Sequence, residues 1–498
     1  MRLLSLAISS TAVVSAAGSV LHAKRAAIDE CLADAKVPVT AQNSTAWKTD
    51  ASPFNDRLPY IPAAIAKPTT VEHIQAAVLC AAEVGVKVNA KSGGHSYASF
   101  GLGGEDGHLV VELDQMYNVT LDPETHIATV QPGARLGHVA TVLYEEGKRA
   151  FSHGTCPGVG VGGHSLHGGF GFSSHSHGLA VDWIDSADVV LANGSVVTAS
   201  ETENPDLFWA LRGAGSNFGI VASFRFKTFA VPPNVTSYEI NLPWTNTTRM
   251  VKGWTALQEW LLNGSMPEEM NMRVLGNGFQ TQLQGLYHGN ASALKTAIQP
   301  LLTALNASLS NVQEQDWMGG FRHYAYSAEI DITDPDYHQS ETFYSKSLVT
   351  PALPQDVLES VAEYWIETAT KIRRSWYIII DLYGGPTSAI TKIPPEASSY
   401  AFRDPEKHLF LYQLYDRSFG SYPDDGFEFL DGWVDAFTGG LDAGDWGMYI
   451  NYADPRLDRT EALEAYYQQN LGRLRQIKKQ VDPTELFYYP QAVEPAEA

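Results

Sequence analysis

The sequence predicts an α+β fold in two domains, a first domain of mixed α/β character and a second domain built on an antiparallel sheet. Up to Val231-Pro232-Pro233, short helix and strand patterns alternate along the chain. Beyond these residues, longer strands with alternating apolar residues are separated by longer helices, as in a sheet with helices on one face. We therefore predict a first domain over residues 26–231, a second over 232–453 and a C-terminal segment over 454–498.

Within the first domain, the segment TTVEHIQAAVLCAAEVG has apolar residues at helical spacing behind a Thr-Thr cap. The strand VKVNAKSGGHS then runs into a glycine turn, HLVVELD predicts another strand, and ATVQPGARLGHVATVLYEEG predicts a strand, a turn and a helix. DSADVVLANGSVVTASE predicts a hairpin, because Asn193-Gly194 is a strong turn signal. NPDLFWALRGAG predicts a helix from Asn204 or Pro205, and FGIVASFRFKTF predicts the last strand.

In the second domain, strands are predicted at SYEINLPW, NMRVLGNGF, TQLQGLYHG, WYIIIDLYGG, HLFLYQLYD and GMYINYAD. Helices are predicted around TRMVKGWTALQEWLLNG and SALKTAIQPLLTALN. The tail predicts one long helix and then a short extended piece, and its pattern leaves the packing partner of this tail open.

The N-terminus predicts secretion. Arg2 and the apolar run from Leu3 to Ala17 have the lengths typical of a signal peptide, and Lys24-Arg25 resembles a processing site. We therefore assign residues 1–25 to a signal and processing segment, because the apolar run is short and interrupted for a membrane span. Eight N-x-[ST] sequons predict glycosylation, at Asn43, Asn118, Asn193, Asn234, Asn246, Asn263, Asn290 and Asn306.

The composition is that of an acidic globular protein. Hydrophobic residues make up 44% of the 498 residues, and 34 Lys and Arg against 56 Asp and Glu give a net charge of −22. This balance lacks the basic surface that nucleic-acid binding needs and opposes binding to anionic membranes. We expect a neutral small substrate, no nucleic-acid or membrane partner, and a monomer.

Three cysteines in an oxidising compartment leave one unpaired. Cys31 and Cys80 lie in helical patterns of the N-terminal part, and their pairing leaves Cys156 in FSHGTCPGVG. Because a free exposed thiol is prone to oxidation, Cys156 is expected either to be buried or to be occupied by another group.

Two glycine-rich segments, KSGGHSY and GVGVGGHSLHGGFG, can bring backbone close to an anion or a planar ring. Neither has the pattern of a nucleotide-triphosphate loop or the spacing of a Rossmann fingerprint. On residue type alone, His95 is equally well a buried structural histidine. Metal binding is not expected, because no complete first shell accompanies the spaced histidines His153, His164, His167, His175 and His177.

Five segments, in this order, carry a resemblance to a known family: PAAIAKPTTVEHIQAAV, AKSGGHSY, SHGTCPGVGVGGHSLHGGFG, GLAVDWI and NPDLFWALRGAGSNFGIV. Together with NYAD and VDPTELFYYPQAV, the chain resembles the flavoprotein oxidases of vanillyl-alcohol oxidase type, in their berberine-bridge-enzyme branch. Within this branch it resembles the fungal secreted gluco-, xylo- and chito-oligosaccharide oxidases. The resemblance implies an FAD-binding domain of two small α/β subdomains, a substrate domain whose antiparallel sheet is covered by helices, and a C-terminal segment that returns to the FAD-binding domain.

The resemblance also implies FAD held by two covalent bonds, from His95 to the 8α-methyl carbon and from Cys156 to C6 of the ring. A thiolate and an imidazole are nucleophilic enough to add to an electron-poor ring. Further cofactor-binding residues implied by the matching motifs are Gly93, Gly94, Ser96, Gly158, Gly162, Gly163, His164 and Gly168.

By the same resemblance, Tyr452 in INYADP and Asp381 in WYIIIDLYGG form the catalytic pair that removes a proton from the anomeric hydroxyl of a sugar. An isolated tyrosine is a weak base at neutral pH, so a carboxylate must assist it. The implied reaction is oxidation of C1 to a lactone, which hydrolyses to the aldonic acid, with O2 reduced to H2O2. Xylo- and cello-oligosaccharides are the favoured substrates.

Aromatic side chains that stack on sugar rings, and polar partners beside them, are expected in the second domain. Candidates there are Tyr324, Tyr326 and Trp376 with Gln284 as a polar partner, and Trp433 and Gln282 are further members. Tyr97, two residues after His95 in the first domain, is also a candidate. Three alternative functions remain open at this stage: a flavin oxidase of a secondary-metabolite alcohol, a non-catalytic flavin- or sugar-binding protein, and a metal-dependent hydrolase built on the histidine-rich loop.

Overall fold

The computed structural model describes residues 23–497. Its first part contains three sheets: three parallel strands in the order β1-β3-β2, five antiparallel strands in the order β4-β5-β9-β7-β8, and an antiparallel pair, β10-β6. The strands are β1 (Ala64–Ala66), β2 (Val88–Lys91), β3 (Leu109–Glu112), β4 (Val119–Leu121), β5 (Ala128–Val130), β6 (Arg149–Ala150), β7 (Ile184–Val190), β8 (Val196–Ser200), β9 (Ile220–Phe226) and β10 (Phe229–Ala230). The helices are α1 (residues 23–34), α2 (Thr45–Asp50), α3 (Val71–Val84), α4 (Leu136–Gly147), α5 (Val161–Leu166), α6 (Ser174–His177), α7 (Ala180–Trp183) and α8 (Pro205–Ala214).

Helix α3 illustrates how the local sequence fixes these elements. The Thr70 side chain accepts a hydrogen bond from the His73 amide and caps the first turn, and Gly85 ends the helix in the left-handed region at φ 70°. The predicted hairpin also forms, since β7 and β8 pair in antiparallel register around Asn193-Gly194. Glycine suits this turn because its φ is 77°.

The second part is a seven-stranded antiparallel sheet in the order β14-β11-β13-β12-β16-β17-β15. Its strands are β11 (Val235–Asn241), β12 (Met270–Asn277), β13 (Thr281–Tyr287), β14 (Leu309–Gln315), β15 (Thr342–Thr350), β16 (Ser375–Leu382) and β17 (Phe410–Ser418). The helices that follow in the chain are α9 (Thr247–Leu262), α10 (Ala291–Leu305), α11 (Trp317–Ala325), α12 (Gln355–Glu367) and α13 (Asp424–Thr438).

Helices α9, α10, α12 and α13 contact one another in a layer against one face of this sheet. Trp254, Trp365 and Trp433 from these helices pack with Trp376 and Ile378 of β16 in the main core. The opposite face of the sheet is turned toward the first part. This arrangement confirms the predicted α+β class with an antiparallel sheet covered by helices.

Two predicted elements are wrong. GMYINYAD forms no strand of the sheet, because Ile450–Tyr452 is a single 3-10 turn and only Gly447 bridges to β15. The predicted long C-terminal helix is two helices, α14 (Arg459–Tyr467) and α15 (Leu471–Val481). The break lies at Gln468, whose φ of 44° is incompatible with a continuous right-handed helix.

The residues after α15 lie against the first sheet. Phe487 forms a parallel bridge with Val88 of β2, and the Asn89 side chain donates to the carbonyl of Tyr488 at 2.9 Å. The fully buried Lys478 ammonium donates to the Asp482 carboxylate at 2.6 Å and to the carbonyl of Asn217. These contacts hold the tail against β2 and the segment around Asn217.

The disulfide between Cys31 in α1 and Cys80 in α3 confirms the predicted pairing and leaves Cys156 with a free thiol. The predicted signal segment falls mostly on residues 1–22, which lie outside the described residues. Over residues 23–497, no helix combines the length and the apolar character that a membrane crossing needs.

Candidate active site

A cavity of about 700 Å³ separates the loops of the first domain from the open face of the seven-stranded sheet. Much of its lining comes from the loop 91–97, the loop 154–172, and cavity-facing side chains of β12, β16 and β17. The turn 449–452 closes one side. A single large cavity with a few convergent polar groups is the usual form of a ligand or cofactor site.

His95 projects into this cavity from the loop that follows β2. Its ring stacks on Phe54 with 4.4 Å between centroids. Burial, together with the positive charge of Arg135, lowers the pKa of His95 to about 3. The imidazole is therefore neutral, and within residues 23–497 its nitrogens have no hydrogen-bond partner, so a ring nitrogen is available for bond formation.

Cys156 projects into the same cavity from the loop before α5. Its thiol is free and accessible from the cavity. The enclosing walls raise the pKa of Cys156 by desolvation, while the charge of Arg273 acts in the opposite direction. The sequence left two alternatives for this cysteine, and the structure shows a thiol presented to an enclosed binding space.

The loops that carry these two side chains touch backbone to backbone. A Cβ atom on Gly93 would overlap the backbone nitrogen of Gly160, and a Cβ atom on Gly160 would overlap the backbone of Gly93. Behind them, the Arg135 guanidinium donates to the carbonyls of Gly93 at 3.1 Å and Gly158 at 2.6 Å. Only glycine permits this close approach.

These residues fit an FAD molecule. The cavity is large enough for an extended cofactor, its first wall is largely backbone, and two carbon-bonding nucleophiles converge on it. Open space lies above Gly163, where no protein atom stands within 4 Å of a Cβ position. The predicted cofactor residues that line the cavity are Gly93, Gly94, His95, Ser96, Cys156, Gly162, Gly163 and His164.

The other two predicted cofactor residues lie outside the cavity wall. Gly158 packs beneath the ring of Tyr337, which leaves no room for a Cβ atom. Gly168 has a φ of 114° and packs against Tyr400 and Tyr449. Both glycines shape the loops around the site, and neither presents backbone to the cavity.

The histidine-rich loop is held by internal hydrogen bonds. His164 accepts the amide hydrogen of Gly154 at 2.9 Å, and His167 bonds to the carbonyl of Gly163 at 2.8 Å and the hydroxyl of Ser216 at 2.9 Å. Burial lowers the pKa of both histidines, to about 3 and about 4. In the described part of the chain, no three His, Cys, Asp or Glu side chains gather as a metal site would require.

A row of polar side chains crosses the open face of the sheet. Arg273 of β12 stands between Asp381 of β16 and Gln284 of β13 in the strand register. The Arg273 guanidinium donates to the Gln284 side-chain oxygen at 3.0 and 3.2 Å. Desolvation raises the pKa of Asp381 to about 7, against the opposing effect of the Arg273 charge. At neutral pH this carboxyl therefore exchanges readily between its two protonation states.

Tyr452 faces the cavity from the 3-10 turn rather than from a strand. Its ring stacks on Tyr97 at 5.6 Å and meets Tyr449 edge-on at 5.2 Å. Burial raises the pKa of Tyr452 well above its usual value, and the Asp381 carboxylate adds to this effect. The Tyr97 hydroxyl accepts a hydrogen bond from Gln413 of β17 at 2.8 Å.

The expected substrate residues divide between the two faces of the sheet. Tyr97, Tyr324 and Tyr326 line the cavity; Tyr324 is buried and donates to the carbonyl of Gly285 at 2.5 Å, whereas Tyr326 is 72% exposed at the edge. Gln284 lies behind the lining, where its amide donates to the Tyr326 hydroxyl at 3.2 Å.

The expectation for Trp376 is wrong. Trp376 is buried on the helix-covered face among Trp365, Phe429 and Trp433, and the further candidate Trp433 lies in the same cluster. Gln282 is also buried, with its side-chain oxygen accepting from Gln280. Because side chains alternate along a strand, Trp376 and Asp381, five residues apart, cannot share a face.

Sequence reasoning missed several cavity-lining side chains. Tyr377 stacks on Tyr415 at 4.6 Å, and the Tyr415 hydroxyl donates to Glu341 at 2.7 Å. Alternation along β16 identifies Tyr377, an even number of residues from Asp381. The signals for Glu341 and Arg273 lie in the pairing of distant strands, which one sequence does not give.

The chain is similar to known protein families and to individual known proteins. Residues 62–200 match an FAD binding domain, and residues 448–494 match the berberine and berberine-like domain. The chain is 87% identical over 497 residues to a xylooligosaccharide oxidase of Thermothelomyces thermophilus, covering 100% of both chains.

Two solved structures show the same fold. One is a xylooligosaccharide oxidase from Myceliophthora thermophila C1 in complex with xylobiose, with TM-score 0.94 and 88% identity over 95% of this chain and 100% of that chain. Another concerns the 6-S-cysteinyl, 8α-N1-histidyl FAD of a glucooligosaccharide oxidase from Acremonium strictum, with TM-score 0.91 and 42% identity over 95% of this chain and 100% of that one. Together with the two domain matches, these structures confirm the predicted fold class, an FAD-binding domain of vanillyl-alcohol oxidase type with a substrate domain.

Proposed function

Because this chain belongs to the FAD-linked oligosaccharide oxidases of the berberine-bridge branch, we propose that it oxidises the anomeric C1 hydroxyl of a neutral oligosaccharide. The product is a lactone that hydrolyses to the aldonic acid, and O2 is reduced to H2O2. The observation that carries the proposal is that His95, Cys156, Asp381 and Tyr452 all line one cavity.

FAD is held, in this proposal, by bonds from His95 to the 8α-methyl carbon and from Cys156 to C6. Formation of each bond removes one hydrogen from the flavin and one from the side chain. For each bond, the two protons and two electrons released convert one O2 to H2O2. The neutral imidazole is the nucleophilic form of His95, and the accessible Cys156 thiol bonds to the ring after it loses its proton. Bound FAD would supply the acceptor for the hydride of the sugar C1 carbon and the route by which both electrons reach O2.

Asp381 and Tyr452 remove the proton of the anomeric hydroxyl. Tyr452 is protonated at neutral pH because its pKa is raised well above its usual value, so it cannot act as a base alone. Asp381, with a pKa of about 7, is a group on this wall that can hold the proton. We therefore assign Tyr452 as the hydroxyl next to the substrate and Asp381 as the carboxylate that activates it.

The favoured substrates are xylo- and cello-oligosaccharides. Support comes from the relative that is 87% identical, a xylooligosaccharide oxidase, and from the solved xylobiose complex of such an enzyme. The net charge of −22 favours a neutral sugar over an anionic one. Two aromatic side chains that line the cavity, Tyr326 and Tyr377, give surfaces for stacking on sugar rings.

Secretion of a glycosylated monomer is part of the proposal. All eight sequon asparagines are exposed in the structure, as attachment of a glycan requires: Asn43, Asn118, Asn193, Asn234, Asn246, Asn263, Asn290 and Asn306. Processing near Ala26 stays a prediction from the sequence. Intact-mass measurement of the protein secreted from a fungal host, with and without glycan removal, tests both points.

A peroxide assay of the purified holoenzyme tests the function. We expect H2O2 from xylo- and cello-oligosaccharides, with less from chito-oligosaccharides and none from non-sugar alcohols. No peroxide from any sugar would refute the proposal. Acid precipitation tests the cofactor linkage, since covalently held FAD leaves a yellow pellet and a colourless supernatant.

A further inference from the structure

Arg135 joins the two loops that carry His95 and Cys156. Its Nη1 atom donates to the carbonyl of Gly93 at 3.1 Å and to the carbonyl of Gly158 at 2.6 Å. Gly93 precedes His95 by two residues, and Gly158 follows Cys156 by two. One planar guanidinium group therefore spans both loops from behind.

The same guanidinium also reaches the second domain. Its Nη2 atom donates to the carbonyl of Tyr337 at 3.0 Å, and the Tyr337 ring lies over the group at 4.9 Å. Arg135 is only 7% exposed and lines a separate cavity of about 20 Å³ behind the loops, together with Lys91 and Glu112. From this position it acts through the loops and not on the substrate.

The backbone around Arg135 restricts the loop of Cys156 further. The amide of Leu136 donates to Val159 at 2.9 Å, and the amide of Gly137 donates to Pro157 at 3.0 Å, so the start of α4 holds this loop. The approach of Gly93 to Gly160 leaves no room for either loop to shift toward the other. The Arg135 guanidinium, bonded to both loops, fixes the distance between them.

The two nucleophiles depend on this bridge unequally. His95 has anchors of its own, the stacked Phe54 ring at 4.4 Å and the Asn55 amide, which donates to the carbonyl of Tyr97 at 2.8 Å. The Cys156 thiol is free in the cavity, so its position follows its loop, which the start of α4 and the Arg135 guanidinium hold together.

We propose that Arg135 is a positioning residue that sets the separation of His95 and Cys156 and so permits both to bond to one flavin. The inference rests on the double attachment proposed above. Arginine suits the role because its rigid planar fork bonds several oxygens in fixed directions, which a lysine ammonium cannot do. A misplacement of about 1 Å slows a bond-forming step roughly a hundredfold, so without the fork the Cys156 bond is lost before the His95 bond.

Thiol counting on purified holoprotein tests this role without measuring activity. Cys31 and Cys80 are joined, and the chain has three cysteines, so alkylation in denaturant without reductant reports only Cys156. The variants are Arg135→Lys, which keeps the charge, and Arg135→Met, which removes it. The control is Arg212→Lys, because Arg212 also bonds a backbone carbonyl across the two domains, that of Ala397 at 2.7 Å, away from these loops.

We expect no reactive thiol in the wild type or Arg212→Lys, and a reactive Cys156 in most molecules of both Arg135 variants. Peptide mapping should find flavin still bonded to the His95 peptide in all of them. Absence of a thiol in Arg135→Lys would overturn the bridging role, whether or not Arg135→Met folds. A free thiol in the wild type would instead refute the double attachment itself, and the role of Arg135 with it.

Discussion

The wall of the cavity on the first domain consists mainly of backbone, whereas the opposite wall on the second domain consists of side chains. Gly93 and Gly160 approach so closely that neither tolerates a Cβ atom. On the sheet, Arg273, Asp381 and Gln413 stand on separate strands and their side chains line the cavity. The first wall is suited to hold a flat cofactor in one place, and the second is suited to chemistry and to substrate choice.

The difference predicts how each wall responds to mutation. A change in the backbone wall should alter folding and cofactor attachment, because there is no space to absorb it. A change in the side-chain wall should alter turnover, pH dependence or affinity while the cofactor stays bound. The following experiments test this separation.

The largest effect is expected on the side-chain wall, from Tyr452→Phe. Loss of the hydroxyl that takes the substrate proton should lower kcat by about 10²- to 10⁴-fold, with unchanged flavin content. Steady-state peroxide production and the flavin absorbance of the denatured protein measure the two quantities. The exposed Tyr326→Phe is the matched control and should keep nearly full kcat. Retention of most activity by Tyr452→Phe would contradict its role.

Next in size is Gly93→Ala on the backbone wall. The added methyl group overlaps the backbone nitrogen of Gly160, so we expect the free energy of unfolding to fall by about 3 kcal/mol, with incomplete flavin attachment. Urea denaturation measures the change. In Gly472→Ala, the control within α15, no atom stands near the new methyl group, and stability should rise by about 0.5–1 kcal/mol. Equal stability of the two variants would show that the loops can move apart.

The pH dependence of turnover should follow Asp381. Its carboxylate is the active form, so kcat/KM should fall below about pH 7, where the carboxyl becomes protonated. The Arg273 charge lowers this pKa, so Arg273→Met should move the acid limb to higher pH by about one unit. Arg417→Met, which removes a cavity charge that pairs with Glu341, is the control and should leave the limb in place. An unshifted limb in Arg273→Met would assign the titration to another group.

The smallest effect should distinguish the two faces of β16. Tyr377→Ala should raise KM for longer oligosaccharides up to about tenfold by removing a stacking surface. Trp376→Phe should leave KM unchanged and lower the melting temperature, because this ring is buried among the helices. A raised KM in Trp376→Phe with an unaffected Tyr377→Ala would restore the interpretation made from the sequence.

The sequence predicts the backbone wall better than the side-chain wall. KSGGHSY and FSHGTCPGVG identify the two loops, because a close approach of two backbone segments requires glycine. Such glycine-rich runs can be read directly from the sequence. The helix α3 and the hairpin around Asn193-Gly194 are predicted for the same reason, since caps and turns depend on neighbouring residues. Pairing of the only two cysteines in the N-terminal helices followed from their placement.

The side-chain wall depends on contacts between distant residues, which the sequence does not display. Asp381 was expected on a strand, but its neighbour Arg273 is brought beside it only by the pairing of β12 with β16. Tyr452 was expected on a strand and lies on a 3-10 turn, because the chain there leaves the sheet after Gly447. Trp376 was assigned to the wrong face although alternation along the strand would have corrected it.

By itself, the sequence determined the α+β class, the pairing that leaves Cys156 over and the chemical groups of the candidate site, because these depend on local pattern and residue type. Only the tertiary structure decided that His95 and Cys156 open onto one cavity, that Arg135 bridges their loops, and that desolvation raises the pKa of Asp381 to about 7. Each of these properties depends on residues that are far apart in the chain and that come together, away from water, only once the chain has folded.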